Sequence, residues 1–252
     1  MKKICAKITP FVIRFGPIVI VLSLWEVLGR SGLISPIILC HFSAVVPALF
    51  DNYARYLHHL KITLIEISMA LLIAWILGLI CGVVIGGIKI LRDIFTPLLS
   101  SFYAVPLVVI YPVLAAWLGL GMEAKYIFGG LYGFFPVVLN TVAGIRSIDP
   151  QYEVLAKSIG ASKLQTIIQV KVPLALPEIL AGIRLGAALS VIGVVVAEML
   201  ASAVGIGYLI EFNRTIFNTP NVYLAILIVL IIVGIIDRIL YTIENRFVYW
   251  AV

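Results

Sequence analysis

The sequence predicts an all-α integral membrane protein of about six transmembrane helices, and three observations carry that prediction. Hydrophobic residues make up 63% of the 252 positions and charged residues 12%, where soluble domains carry about 25% charged, and the mean hydropathy is +1.17. Several apolar runs reach the roughly 20 residues that a helical span needs. The period-two alternation of barrel strands is absent, so the backbone of each run must satisfy its own hydrogen bonds as a helix. These features leave room for one transmembrane domain over 1–252 and for no separate soluble domain.

The first span is expected at 11–28, after Lys2, Lys3 and Lys7. Pro10, Arg14 and Pro17, with no small-residue cleavage pattern after Trp25 and Glu26, separate it from a signal peptide. Residues 30–60 read as an extracytoplasmic segment. Its His58-His59 pair suits an interfacial helix better than a metal site, because adjacent histidines diverge on a helix and no third ligand is near. The second span, 62–88, carries Gly78, Gly82 and Gly86 on one face, a small-residue row that admits close helix approach. Glu66 near its start is read as an interfacial carboxylate in water, the alternative being a position facing a pathway.

The third span, 97–118, holds Pro106 and Pro112, which free carbonyls from the helical ladder. Both a helix lining a solute path and a packing kink fit that pattern, and Pro106 is a pathway candidate. The fourth span, 126–145, contains Asn140, a polar amide at depth that needs either a helix partner or a polar solute. The fifth, 179–200, contributes Gly193 and Glu198 as further candidates; Glu198 suits either a gate or a locally capped carboxylate at the outer end. Residues 202–220 are mixed polar and are expected as a partly inserted outer segment. The sixth span is expected at 222–240.

Between the fourth and fifth spans lies the least hydrophobic long stretch, the loop 146–177. Asp149 is placed to cap a helix opened by Pro150, which has no N–H to lose there. Tyr152, Leu155 and Ile159 share a face, Gly160 ends the helix, and Ser162 with Gln165 has the form of a capping box. The second helix is expected to stop before Pro173 and Pro177. The prediction is two short helices joined by a glycine elbow at the membrane surface.

Of the 18 lysines and arginines, this topology with a cytoplasmic amino terminus puts thirteen on or toward the inner side. Only Arg30, Arg55, Lys61, Lys125 and Arg214 fall outward. The positive-inside rule therefore puts the loop in the cytoplasm. The net charge of +6 is scattered along the chain and does not indicate nucleic acid. Cys5, Cys40 and Cys81 have neither disulfide nor metal-ligand spacing and read as packing residues. No G-x-x-x-x-G-K-[ST], H-E-x-x-H or G-x-S-x-G run occurs, so energy for any transport is expected from a partner or an ion gradient.

The loop resembles the EAA loop of permease subunits of binding-protein-dependent ABC importers. Laid on that pattern, Ala156, Gly160 and Pro173 match and Val170 and Val172 fill its aliphatic positions. Val154 holds the signature glutamate position, with Glu153 one residue earlier. The runs 105–121, 134–150 and 177–210 are similar to the nitrate, sulfonate and taurine group of these permeases, among them Pro136, Asn140, Asp149-Pro150, Glu198 and the Gly205-Ile206-Gly207 segment. The resemblance is specific from Phe134 to Ile210 and weaker before; residues 39–45 share only their ends with that group, and many of its members carry a basic residue at position 66.

It implies the type I importer permease fold with cytoplasmic coupling helices in a multi-pass protein of the cell (inner) membrane. ATPase coupling would fall to Asp149, Pro150, Glu153, Leu155, Ala156, Lys157, Gly160, Ala161 and Pro173. The implied partners are two ATP-binding cassette subunits, a second permease subunit expected as a homodimer, an extracytoplasmic substrate-binding protein and membrane lipid. ATP and Mg would be bound by the ATPase subunit, with no cofactor in this chain. The cargo would be a small sulfonate-, nitrate- or taurine-like solute, or a related organic molecule. A gradient-driven secondary transporter and a non-transporting scaffold are the alternatives; the first wants mid-membrane ionisable residues and an internal repeat.

Overall fold

The computed structural model describes the backbone of residues 2–248 and the side chains of residues 16–246. Every element among them is helical. In order they are α1 (Lys2–Arg30), a 3-10 turn (Phe42–Ala44), α2 (Val45–Gly87), α3 (Lys89–Ala104), a second 3-10 turn (Leu107–Ile110), α4 (Tyr111–Leu118), α5 (Met122–Ser147), α6 (Pro150–Ser158) and α7 (Lys163–Gln165). A π-helical segment (Thr166–Lys171), α8 (Val172–Leu174), α9 (Leu176–Ala201), α10 (Ile206–Thr215) and α11 (Thr219–Val248) complete the chain. Among the described residues four helices are long and apolar enough to cross a membrane, within Phe42–Gly87, Met122–Ser147, Leu176–Ala201 and Thr219–Arg246. The bent pair Lys89–Ala104 and Leu107–Leu118 makes a fifth if taken as one span. The first expected span lies within α1; the side chains of Lys2, Lys3, Cys5, Lys7 and Arg14 fall outside the described residues.

Three expectations about the elements are corrected. The second span is part of a much longer helix, because α2 begins at Val45 and takes in half of the presumed extracytoplasmic segment. Pro47 sits in its first turn, where a missing N–H costs nothing, and no glycine or proline follows before Gly78. At 43 residues α2 is about 65 Å long. The third span is two helices at 84°: Val105, preceding Pro106, is driven to an extended conformation (ψ 134°), which ends α3. The second arm of the loop does not stop before Pro173. Its ladder shifts to π spacing over Thr166–Lys171, and the helix continues through Pro173 to Leu174, since a proline lacking an N–H is tolerated where the i→i+4 register is already broken.

The described residues form two compact units, one made of those up to residue 58 with 209–228 and the other of 59–208 with those from 229 onward. In the first, Trp25 donates to the Cys40 carbonyl (2.8 Å) and packs against Phe42 and Tyr223. Glu26 accepts from the Ser43 backbone N–H and hydroxyl, and the Tyr56 hydroxyl donates to the Asn221 carbonyl (2.8 Å).

In the second unit α5 and α9 form the closest pair. A Cβ on Gly193 would lie 2.8 Å from Gly129 Cα, and one on Gly186 would lie 2.7 Å from the Gly133 carbonyl oxygen, so the two backbones touch where side chains would hold them apart. The expected glycine row of α2 has a definite counterpart on α5: Gly78 faces Val137, Gly82 faces Thr141 and Gly86 faces Ile145. An aromatic-rich core of Leu107, Tyr111, Phe128 and Phe135 seats the broken α3–α4 region.

Candidate functional site

The loop between α5 and α9 folds into an elbow whose every hinge is set by local chemistry. Asp149 accepts from the Gln151 N–H (2.8 Å), with Pro150 opening α6. The helix closes with a Schellman pair, Gly160 N–H to the Lys157 carbonyl and Ala161 N–H to the Ala156 carbonyl, both at 3.0 Å. Gly160 has φ +82°, the left-handed conformation that a side chain disfavours. Ser162 and Gln165 then complete a reciprocal capping box. Glu153 joins the two arms, meeting Lys157 of α6 at 2.9 Å and Lys171 at 2.7 Å. Those two ammonium groups hold its carboxyl down at about 2.

The apolar residues of this elbow point outward. Ala156 is buried at 3%, while Leu155, Val154 and Ile159 are 60%, 65% and 79% exposed and Leu164 is 66% exposed. The amphipathic face expected at Tyr152, Leu155 and Ile159 thus exists and is largely exposed among the described residues. A contiguous apolar surface on a capped, ion-paired scaffold is what a docking element presents.

A second constellation is buried. Glu66 (α2) and Lys125 (α5) form an ion pair, with side chains 0% and 1% exposed. Glu66 therefore does not sit in water. That expectation fails because its partner lies 59 positions away in the sequence and the two neutralise each other only in the folded state. The Glu66 and Glu198 carboxyl groups also meet, and Lys125 donates to the Ser202 hydroxyl (3.1 Å).

Glu198 is the keystone of the segment entering α10. It accepts from Thr63 Oγ1 (2.7 Å) and from the Gly207 N–H (2.7 Å), while Thr63 accepts from the Ile206 N–H (2.8 Å) and His59 Nδ1 from the Gly205 N–H (2.9 Å). A Cβ at Gly205 would overlap the Glu198 carboxyl, and one at Gly207 would lie 2.7 Å from Glu198 Cβ. The Gly-x-Gly spacing is what lets the first turn of α10 rest on a buried acid. Sequence reasoning found Glu198 and the glycines but missed Thr63 and the parts that His59 and Lys125 play here. Charged or polar residues inside apolar runs were the available signal.

The other candidates are dispersed. Asn140 donates to the Pro136 carbonyl of its own helix (2.8 Å) and packs against Gly182. Gly193 lies in the α5–α9 seam and Pro106 at the α3–α4 bend. Arg184 is engaged by Asp237 (2.6 and 3.1 Å) and by Glu244 (3.4 Å). Among the described residues no group of three or more His, Cys, Asp or Glu could hold a metal ion.

Comparison with known proteins gives a coherent result. Residues 74–249 match the family described as binding-protein-dependent transport system inner membrane component. A putative aliphatic sulfonates transport permease protein of Bacillus subtilis is 29% identical, covering 92% of this chain and 84% of its own length. The taurine transport system permease protein of Escherichia coli is 28% identical over 94% of this chain and 89% of its own. The formylaminopyrimidine transport permease protein of Halalkalibacterium halodurans is 30% identical over 90% and 91% respectively.

Proposed function

This chain belongs to the binding-protein-dependent transport system inner membrane component family, the membrane-spanning permeases of ABC importers, and from that premise we propose that its 149–173 elbow is the element through which a separate ATPase subunit drives it. The observation that carries the reading is the unpartnered apolar face of the elbow, Val154, Leu155, Ile159 and Leu164, exposed on a scaffold that caps and an ion-paired Glu153 hold in shape. Asp149, Pro150, Gly160 and Ala161 set the bend; Glu153, Lys157 and Pro173 fix the second arm; Leu155 provides contact and Ala156 the packing beneath it. ATP favours one conformation of such an assembly only through tighter binding to the closed ATPase pair, and the elbow converts that closure into rigid-body movement of the helices.

The remaining parts of the proposal follow the same logic. Residues 1–252 act as one transmembrane permease domain in the cell membrane, with the amino terminus and the elbow in the cytoplasm, as the thirteen-to-five distribution of basic residues favours. Two copies of the permease pair with two ATPase subunits and an external binding protein. The chain hydrolyses no ATP itself, in keeping with its lack of a phosphate-binding loop. Its cargo is a small solute of the sulfonate, taurine or nitrate kind, or a related organic molecule, for which Asn140, Gly193, Glu198 and Pro106 are the pathway candidates.

Purification of tagged permease from its native membrane tests the central point. A nucleotide-binding subunit is expected at one copy per permease and is expected to be lost from Leu155→Asp and Ile159→Asp variants that still fold. Retention of that subunit by both variants refutes the elbow as the docking element.

A further inference from the structure

Between the elbow and the ends of the neighbouring helices lies a cleft of about 720 Å³, where α2 gives way to α3 and α5 to α6. Six basic residues line it, Lys89, Arg92, Arg146, Lys157, Lys163 and Lys171, against two acids, Asp149 and Glu153. Both acids are engaged. Glu153 is shared by Lys157 and Lys171, and Asp149 caps α6. Arg92 makes one contact, to the Gly86 carbonyl (3.3 Å), and Lys89, Arg146 and Lys163 have no ion pair among the described residues. With six basic residues against two carboxylates the cleft carries an excess of four cationic charges, and Lys89, Arg92, Arg146 and Lys163 are in no ion pair among the described residues.

Apart from Thr166 the rest of the lining is apolar, with Ile88 and Ile90 exposed beside the cations. The rim is also where two candidate spans end, Phe42–Gly87 and Met122–Ser147, which on the topology proposed above is the cytoplasmic end of the bundle. A free phosphate would use the charges and leave the isoleucines idle, and an acidic protein segment would have no use for an opening at membrane level. A group that is anionic at one end and apolar at the other uses both.

We propose that this cleft is a binding site for the phosphate headgroup of an anionic phospholipid of the cytoplasmic leaflet, Lys89, Arg92, Arg146 and Lys163 holding the phosphate and the isoleucines receiving the first carbons of the acyl chains. Basic residues at this level attract anionic lipid by roughly 1 kcal/mol each, or about fivefold per residue. Because Lys163 belongs to the second arm of the elbow, the lipid ties that arm to the ends of α2 and α5. The inference rests on the cytoplasmic placement of the elbow proposed above.

The experiment uses the full permease with its ATPase subunits, moved into nanodiscs of phosphatidylcholine containing one-fifth phosphatidylglycerol. Phosphatidylglycerol retained on extraction is counted by native mass spectrometry, and co-purifying ATPase subunit is measured on the same samples. Lys89→Gln with Arg146→Gln is expected to lower the preference for phosphatidylglycerol over phosphatidylcholine about thirtyfold. Lys89→Arg with Arg146→Lys is expected to restore it, and the ATPase subunit is expected to stay bound throughout.

Unchanged lipid preference in the glutamine pair overturns the proposal. Displacement of the lipid by millimolar inorganic phosphate overturns it in favour of a plain anion site. Loss of the ATPase subunit with lipid unaffected overturns it in favour of a protein contact. A wild-type permease that retains phosphatidylglycerol but binds no ATPase subunit would instead refute the docking role of the elbow and leave the lipid site standing.

Discussion

Replacing Lys125 with methionine removes the ammonium of the buried constellation while nearly preserving its volume. In the native state Lys125 pairs with Glu66 and donates to Ser202, and both acids of the cluster, Glu66 and Glu198, are fully buried. Removing one member of a buried ion pair costs about 3–5 kcal/mol, because the surviving charge is left without compensation. Here two acids survive, Glu66 and Glu198, and only Glu198 has other donors, Thr63 and the Gly207 N–H. Lys125→Met is therefore expected at the upper part of that range.

The double variant Lys125→Met with Glu66→Leu removes the stranded acid and is expected within about 1–2 kcal/mol of the parent, since exchange of a buried pair for packed apolar groups is often neutral. Unfolding in SDS titrations of mixed micelles, followed by tryptophan fluorescence, gives the four corners of the cycle. A Lys125→Met cost below about 0.5 kcal/mol refutes the reasoning, and so does a double variant equal to the sum of the singles, because groups in contact must couple.

Three further outcomes follow from the same geometry. Gly160→Ala meets no neighbouring atom, so its cost, about 1–2 kcal/mol, comes from the left-handed φ alone; hydrogen exchange should rise across 149–173 and retention of the ATPase subunit should fall. Gly133→Ala would set a Cβ 2.6 Å from the Gly186 carbonyl oxygen and should cost about 1–3 kcal/mol of overpacking, read as lower resistance to SDS. Glu153, held at about 2 by Lys171 and Lys157, contributes stability that is present above its ordinary value near 4.5 and is lost as pH falls from there toward 2. Protection factors in the elbow, which remove the intrinsic pH dependence of amide exchange, should therefore be flat from pH 7 to 5 and fall below that window, and Glu153→Gln should abolish the fall.

What the sequence made legible is what depends on neighbours along the chain. Asp149, Pro150, Gly160 and the Ser162–Gln165 box act within three residues of themselves, and all hold the places read for them. The apolar runs likewise announced the helices from 122 to 201 and beyond 219. The start of α2 was hidden because a proline in a first turn is silent, and the passage of a helix through Pro173 was hidden because π spacing has no compositional mark. Glu66 was misread for a different reason: nothing near it in the chain names Lys125 as its counter-ion, and a lone acid in an apolar run reads as wet until its partner is found.

Several ionic groups within the helical bundle are spent on one another. Lys125 answers Glu66, and Asp237 and Glu244 answer Arg184. Each of these constellations holds one acid more than its bases, so neither leaves a free cation to offer a passing anion. In the importer proposed above the choice among cargoes falls to the external binding protein, and changing that receptor would redirect the conduit without rebuilding its walls.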